Sequence, residues 1–249
     1  MNNKFIEELS LNNWQPLSTI HYDGWILRFA DGYTKRANSI NPIHYSTCDL
    51  NYKIAECERI YSANCLPAIY KITPFVHPID LDKILESKDY SLIDTTSVQT
   101  LDLANLNEPT LNSTKIVETV NAEWIADFCR INNVNDQNNG VLERMLSNIK
   151  TKTGFISLYY EDQVIGCGLG VIERGYIGLY DIVTDLHFRN RGFGEQMILS
   201  LLKWGKANGA KYSYLAVVSN NRPALRLYSK IGYSEIYTYW YRVKDSKTY

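Results

Sequence analysis

The stretch Asp181-Ile182-Val183-Thr184-Asp185-Leu186-His187-Phe188-Arg189-Asn190-Arg191-Gly192-Phe193-Gly194-Glu195 carries an apolar, strand-like run into a glycine loop. A segment with helical periodicity follows at once. Strand, glycine loop and helix N-terminus in that order bring backbone N–H groups and the positive end of a helix dipole together. Arg189 and Arg191 add fixed positive charge, so the stretch predicts an anion site, for a phosphate or pyrophosphate. Gly192 and Gly194 permit close backbone approach and the φ values that other residues avoid.

Working outward, the helix after the loop is expected to run to about Asn208, with Met197, Ile198, Leu201 and Leu202 as its buried stripe and Gly209 as its stop. Tyr212 to Val218 reads as a strand. Asn221 reads as the cap of a helix carrying Ala224, Leu225, Leu227, Tyr228 and Ile231, closed by Gly232. A final strand or hairpin spans Tyr233 to Val243. On the other side of the loop, Phe155–Tyr160, Val164–Glu173 and Tyr176–Val183 read as three strands in hairpin order, turning at Glu161-Asp162 and Arg174-Gly175. Helical segments precede them at Glu123–Phe128 and Val141–Ile149, joined by an asparagine-rich loop, Asn132–Asn139. This half therefore predicts an α/β layout with a mixed sheet and helices on both faces.

The first half starts with a short helix over residues 3–12, with Phe5, Ile6 and Leu9 on one face. Trp14 to Ile20 reads as a connection. Asp23-Gly24 is a turn, and Gly24 to Ala30 a strand. Asp31-Gly32 is a second turn signal, with Tyr33 to Ile40 as the returning strand. Leu50–Asn64 and Ile79–Ser87 read as helices, Ala68–Thr73 as a strand, and Tyr90–Leu103 as one bent strand or two short ones. Residues 104–113 are polar and read as a linker.

Composition narrows the function. With 249 residues, 45% of them hydrophobic, and a net charge of −1, the chain can bury a real core. It carries no basic field that would suggest nucleic acid. Its five cysteines are scattered and form no CxxC pair, which argues against zinc or a disulfide framework and for reduced, buried thiols. No signal-type apolar core and no membrane-length run is present, so a cytoplasmic protein with no membrane partner is expected.

The Arg189-x-x-Gly192-x-Gly194 loop, the Ile182-Val183-Thr184 strand end before it, and Asn221-x-x-Ala224-x-x-Leu227-Tyr228-x-Lys-x-Gly232-Tyr233 after it occur in order. With them, residues about 114–244 resemble the GNAT superfamily of N-acetyltransferases. The resemblance implies a mixed, mostly antiparallel central sheet flanked by helices. It also implies acetyl-CoA as cosubstrate. The backbone around Arg189, Asn190, Arg191, Gly192, Phe193, Gly194 and Glu195 would hold the pyrophosphate. Ile182, Val183 and Thr184 would run along the pantetheine arm, Asn221 would contact that arm, and Tyr228 would be the general acid. The strand position that often carries a glutamate base is Gly178 here. Asp181 is the candidate base, although strand alternation can turn it away.

The first half carries a fainter echo. Leu85-Glu-Ser-Lys-Asp-Tyr90 sits like Tyr228-Ser-Lys-Ile-Gly-Tyr233, and Leu66–Thr73 like the strand before it, with no glycine loop. The expectation is a tandem of two GNAT-like units: a degenerate one over residues 1–110 and a catalytic one over 114–249. Gly24-Trp-x-Leu-Arg28 and Arg36-Ala-Asn-Ser39 are shared with bacterial two-part acetyltransferases, which adds architecture only. The expected reaction is direct acetyl transfer to a primary amine, on a small molecule or a peptide, by a monomer or homodimer. The alternative is a non-catalytic acyl-CoA sensor or regulatory module. A dinucleotide site is disfavoured, because the loop lacks a third glycine and follows antiparallel strands.

Overall fold

The chain turns most sharply at paired left-handed residues. Asp23-Gly24 (φ 43° and 82°), Glu161-Asp162 (47° and 63°) and Arg174-Gly175 (47° and 80°) each close a two-residue hairpin. Such loops match the right-handed twist of the strands that they join. A computed structural model describes residues 3–244, the side chain of Asp136 excepted. Residues 1–2 and 245–249, the outer ends of the two expected domains, lie outside the described residues.

The elements are α1 (Asn3–Asn13), β1 (Ser18–Tyr22), β2 (Trp25–Phe29), β3 (Ile40–Asn41), α2 (Leu50–Ala63), β4 (Ile69–Ile72), α3 (Leu81–Glu86), β5 (Tyr90–Asp102) and β6 (Thr114–Val117). They continue with α4 (Ala122–Asn132), α5 (Asp136–Ser147), β7 (Lys152–Tyr160), β8 (Gln163–Glu173), β9 (Tyr176–Thr184), α6 (Phe193–Ala207), β10 (Tyr212–Val218), α7 (Arg222–Ile231) and β11 (Ser234–Lys244). The sheet is mixed and mostly antiparallel, with helices packed on it, as expected.

Two compact units divide these elements. The larger holds residues 3–15, 98–217 and 221–236, and the smaller holds 16–97, 218–220 and 237–244. No single cut at residues 110–114 produces them. The helix α1 belongs with the larger unit, and most of β11 with the smaller. The physical reason is strand exchange. Within the larger unit the order is β5-β10-β9-β8-β7-β6, and within the smaller it is β1-β2-β3-β4-β11. Each sheet thus takes its last strand from the other half of the sequence.

The two halves repeat one pattern. Three antiparallel strands, a helix, a strand parallel to the third, a helix and a last strand describe β1-β2-β3-α2-β4-α3-β5. The same words describe β7-β8-β9-α6-β10-α7-β11. The echo between Leu85–Tyr90 and Tyr228–Tyr233 therefore sits at equivalent helix ends.

In the larger unit, α6 lays Met197, Ile198, Leu201 and Leu202 on Ile177, Leu179, Leu215 and Val217, and α7 joins through Leu227 and Tyr228. Each fully buried leucine or isoleucine here contributes roughly 1.5–3 kcal/mol. A row of glycines in β8 lets this layer approach closely. A Cβ at Gly166 would reach Met197, and one at Gly170 would reach Leu201. In the smaller unit Trp25, Leu27, Ile54, Cys57, Tyr61, Tyr70 and Ile72 form a separate core.

Several local expectations change. Residues 33–39 do not return as a strand. The Asn38 side chain accepts from the N–H groups of Ala30 and Gly32, which holds a loop, and only Ile40–Asn41 pair with β2. Ser18–Tyr22, expected in part as a connection, is a strand. Thr114–Val117 is a strand that patterning did not indicate. The asparagine-rich segment is mostly helix, because Asn135 caps α5 by accepting from the N–H of Asn138. Cys57, Cys129 and Cys167 are buried, whereas Cys48 and Cys65 are exposed, which corrects the expectation of buried thiols throughout. Burial pushes the Cys167 thiol up to about 12, in keeping with a core residue.

Candidate active site

The strand β9 is regular to Tyr180 and then breaks. Asp181 adopts a left-handed conformation (φ 51°), and the pairing with β8 shifts register between Cys167 and Leu169. Asp181 and Ile182 together face Gly168, which is a β-bulge. The parallel ladder between β9 and β10 ends at almost the same level. Its last pair is Leu179 with Leu215, although β9 runs on to Thr184 and β10 to Val218. Tyr180 to Thr184 of β9 thus lie beyond the last pair of the ladder with β10, and the bulge falls within them.

The loop after β9 is built to expose N–H groups. Asp185 accepts from the N–H of His187 and closes one short turn. Asn190 (φ 62°) and Gly192 (φ 82°) are left-handed, and they turn the chain into α6. Gly192 is the cap residue of α6, and no side chain there binds the first N–H groups of the helix. A Cβ added to Gly192 would meet nothing within 4 Å. A 15-residue helix therefore points its uncapped N-terminus into open space, which is a favourable place for an anion.

The flanking side chains are less uniform than the sequence implies. Arg189 donates through Nε to the Thr184 carbonyl at 3.0 Å, so one face of its guanidinium braces the loop. The Arg191 guanidinium lies 5.5 Å from the centroid of the Phe188 ring. Phe193 turns toward Tyr160, ring edge to ring face. The Glu195 carboxylate pairs with Lys230 at 2.5 Å and so ties α6 to α7. Among the residues expected at the anion, Glu195 can thus offer its backbone but not its side chain.

The helix α7 brings the downstream motif to the same place. Leu227 Cδ2 lies 3.5 Å from a Cβ built on Gly194, and Thr184 Oγ1 lies 3.4 Å from it. Asn221 caps α7, accepting from the Ala224 N–H at 3.3 Å, and is exposed. Tyr228 is 9% exposed and packs edge-on against Tyr233 at 5.7 Å. Ile182, Val183 and Thr184 are half-buried or buried along the bulged strand. The loop, the end of β9 and the helix α7, which carries Tyr228 and is capped by Asn221, accordingly meet in one region of the larger unit. His187, also in the loop, is exposed.

The opposite face of β9 holds residues that sequence patterning missed. Tyr180, Tyr214, Asn13 and Trp14 gather beside Gly178. The usable signal was the glycine itself, since a missing side chain in a central strand invites a large neighbour.

A mixed sheet split beside a bulged strand, with a glycine loop at a helix N-terminus, defines a GNAT-superfamily N-acetyltransferase. Residues 4–242 match the family described as "Probable histone acetyltransferase Rv0428c C-terminal", and the chain belongs to that family. It is 27% identical over 246 residues to the "Uncharacterized N-acetyltransferase YobR" of Bacillus subtilis (strain 168), covering 96% of this chain and 97% of that protein. Among solved structures, a GCN5-related N-acetyltransferase from Kribbella flavida superposes with a TM-score of 0.67 at 11% identity, over 92% of this chain and 90% of that one. A tandem GNAT protein from the clavulanic acid biosynthesis pathway gives 0.59 at 11% identity, over 78% and 69%. At such identities the structural likeness concerns the fold.

Proposed function

We propose that the chain moves an acetyl group from acetyl-CoA to a primary amine by direct attack in a ternary complex. The observation that carries this reading is the uncapped N-terminus of α6 behind left-handed Asn190 and Gly192, with Tyr228 on the adjoining helix. The chemistry of the donor set fits the cosubstrate. The N–H groups of residues 192–195 and the guanidiniums of Arg189 and Arg191 would hold a pyrophosphate. The backbone of Ile182, Val183 and Thr184, beyond the last β9–β10 pair, would lie along an amide-bearing arm, and Asn221 would meet the same arm. When bound, acetyl-CoA supplies an acetyl group activated as a thioester.

The residues then divide the proton work. Tyr228 Oη donates a proton to the departing sulfur, a contribution typically worth about 10²–10⁴ in rate. Asp181, at the bulge, takes the proton of the incoming amine. A base is useful because an amine with a pKa near 10.4 costs roughly 4–5 kcal/mol to deprotonate at neutral pH, at 1.36 kcal/mol per unit.

Calorimetry with acetyl-CoA and NAD, followed by turnover over a broad amine panel, tests the reading. Acetyl-CoA should bind and NAD should not. Tyr228→Phe should lower kcat by about 10²-fold or more while acetyl-CoA binding persists. Tight NAD binding without CoA binding would sink the proposal. Unchanged turnover in Tyr228→Phe would remove Tyr228 from its role.

A further inference from the structure

The two halves enter their first long helix in the same way and close the entrance differently. In each half the third strand is followed by an equally long loop, residues 42–49 before α2 and 185–192 before α6. In each half the first hairpin lies against that loop. Tyr160, beside the Glu161-Asp162 turn, packs on Phe188 and Phe193. In the smaller unit the Gly24 carbonyl accepts from the His44 N–H at 3.1 Å, and a Cβ on Gly24 would run into the Tyr45 carbonyl. The helix α6 leaves its N-terminus bare behind Gly192. The helix α2 is capped by Asp49, which accepts from the Tyr52 N–H at 2.9 Å.

The N–H groups just ahead of α2 are taken as well, and by a carboxylate. Asp23 accepts from the Thr47 N–H at 2.9 and 3.0 Å, from the Cys48 N–H at 3.0 Å, from Thr47 Oγ1 at 2.7 Å and from Ser46 Oγ. Lys53, whose side chain is 0% exposed, reaches Asp23 Oδ2 at 3.2 Å and Ser46 Oγ at 2.8 Å. Its Nζ lies 4.0 Å from the centroid of the Trp25 ring. Two backbone N–H groups, two hydroxyls and a buried ammonium thus surround one anion. Such charge-assisted bonds offset the cost of taking both ions out of water. Counted back from the helix, Thr47 and Cys48 stand where Asn190 and Arg191 stand in the glycine loop.

We infer that the smaller unit holds a second anion site, equivalent in position to the glycine loop, and that its ligand is the chain's own Asp23 carboxylate. A small free carboxylate can replace that side chain, because the donors match the group and not its attachment. In the wild type the donors are committed, so the smaller unit is closed to a second pyrophosphate. All of these contacts lie within the smaller unit and are independent of the acetyl-transfer reading.

Asp23 is left-handed (φ 43°), so glycine fits the turn without strain, and Asp23→Gly removes a group that acetate restores. The test melts the full-length variant in acetate and in chloride at equal ionic strength. About 200 mM acetate should raise its melting temperature over chloride by about 2–4 °C, with no such difference in the wild type. Amide exchange at Thr47 and Cys48 should be about 10-fold faster in the variant and slow again in acetate. An acetate effect no larger in the variant than in the wild type overturns the inference. Should Asp23→Gly fail to fold, Asp23→Asn keeps the size and removes the charge. Exchange at Thr47 and Cys48 should then quicken by about 10-fold, while Tyr52, held by Asp49, stays protected. Unchanged exchange at Thr47 and Cys48 overturns the inference. Calorimetry of the wild type should find one acetyl-CoA per chain, and a second one overturns the closed site. A wild type that binds no acetyl-CoA counts against the acetyl-transfer reading alone, since neither the acetate melts nor the exchange rates involve acetyl-CoA.

Discussion

The ring of Tyr214 occupies the space that a side chain at residue 178 would need, 2.6 Å from where its Cβ would stand. A glutamate introduced at 178 therefore cannot act as a base without expelling that ring. Gly178→Glu should lower the melting temperature, with a cost of about 1–3 kcal/mol for overpacking. It should bring no gain in turnover. A Gly178→Glu variant with wild-type thermal stability and a raised kcat would contradict this packing.

The left-handed cap at Gly192 makes a second prediction. A residue with a Cβ costs roughly 1–2 kcal/mol in that backbone region, although the surrounding space is open. Gly192→Val should weaken acetyl-CoA binding more than it lowers stability, because a shifted loop misaims the N–H groups of α6. Titration calorimetry beside a thermal melt separates the two effects. Equal affinity in the variant would show that the loop does not hold the cosubstrate.

In the smaller unit, Asp23 carries a pH dependence. Its carboxylate accepts from Ser46 Oγ, from the N–H groups of Cys48 and Thr47 and from Thr47 Oγ1, and these bonds hold it far below the usual carboxylate range. A pKa depressed by folding contributes stability above the unfolded value of about 3.9, and that stability is lost as pH falls below it. Asp23→Asn should therefore melt below the wild type at pH 7, and the gap should narrow between pH 5 and pH 2.5. A gap that is constant across that range would refute the assignment.

The exchanged strand β11 is anchored by one buried arginine. Arg242 reaches Asp82 through Nε at 2.8 Å and through a second nitrogen at 3.1 Å, and it also meets Glu86 and the Tyr90 carbonyl. Trp240 Nε1 donates to the same Asp82 oxygen at 2.8 Å. Arg242→Ala should cost about 2–3 kcal/mol, less than the loss of a fully buried pair because Asp82 and Glu86 keep some contact with water. Urea unfolding measures it, and a change under 1 kcal/mol would show that the network is not holding the strand.

Much of the local structure around the candidate site was legible because its parts are local. The glycine loop, the cap at Asn221, the stripe Met197-Ile198-Leu201-Leu202 and the stop at Gly209 depend on φ preferences, capping and helical periodicity within a few residues. The span Tyr212–Val218 and the hairpins at Glu161-Asp162 and Arg174-Gly175 were readable for the same reason. The short strand Ser18–Tyr22 was not, since it is mostly exposed and shows no alternation.

The sequence by itself determined the local machinery: which residues form a loop, a cap or an apolar stripe. The tertiary structure alone decided which distant segments meet. The pattern of a strand specifies which face is buried, but not which neighbour it pairs with. Hence β5 and β11 exchange halves, and α1 brings Asn13 to Tyr214 across 201 positions. The space left by Gly178 is filled from a strand 36 residues away, since close packing puts a side chain wherever one is missing.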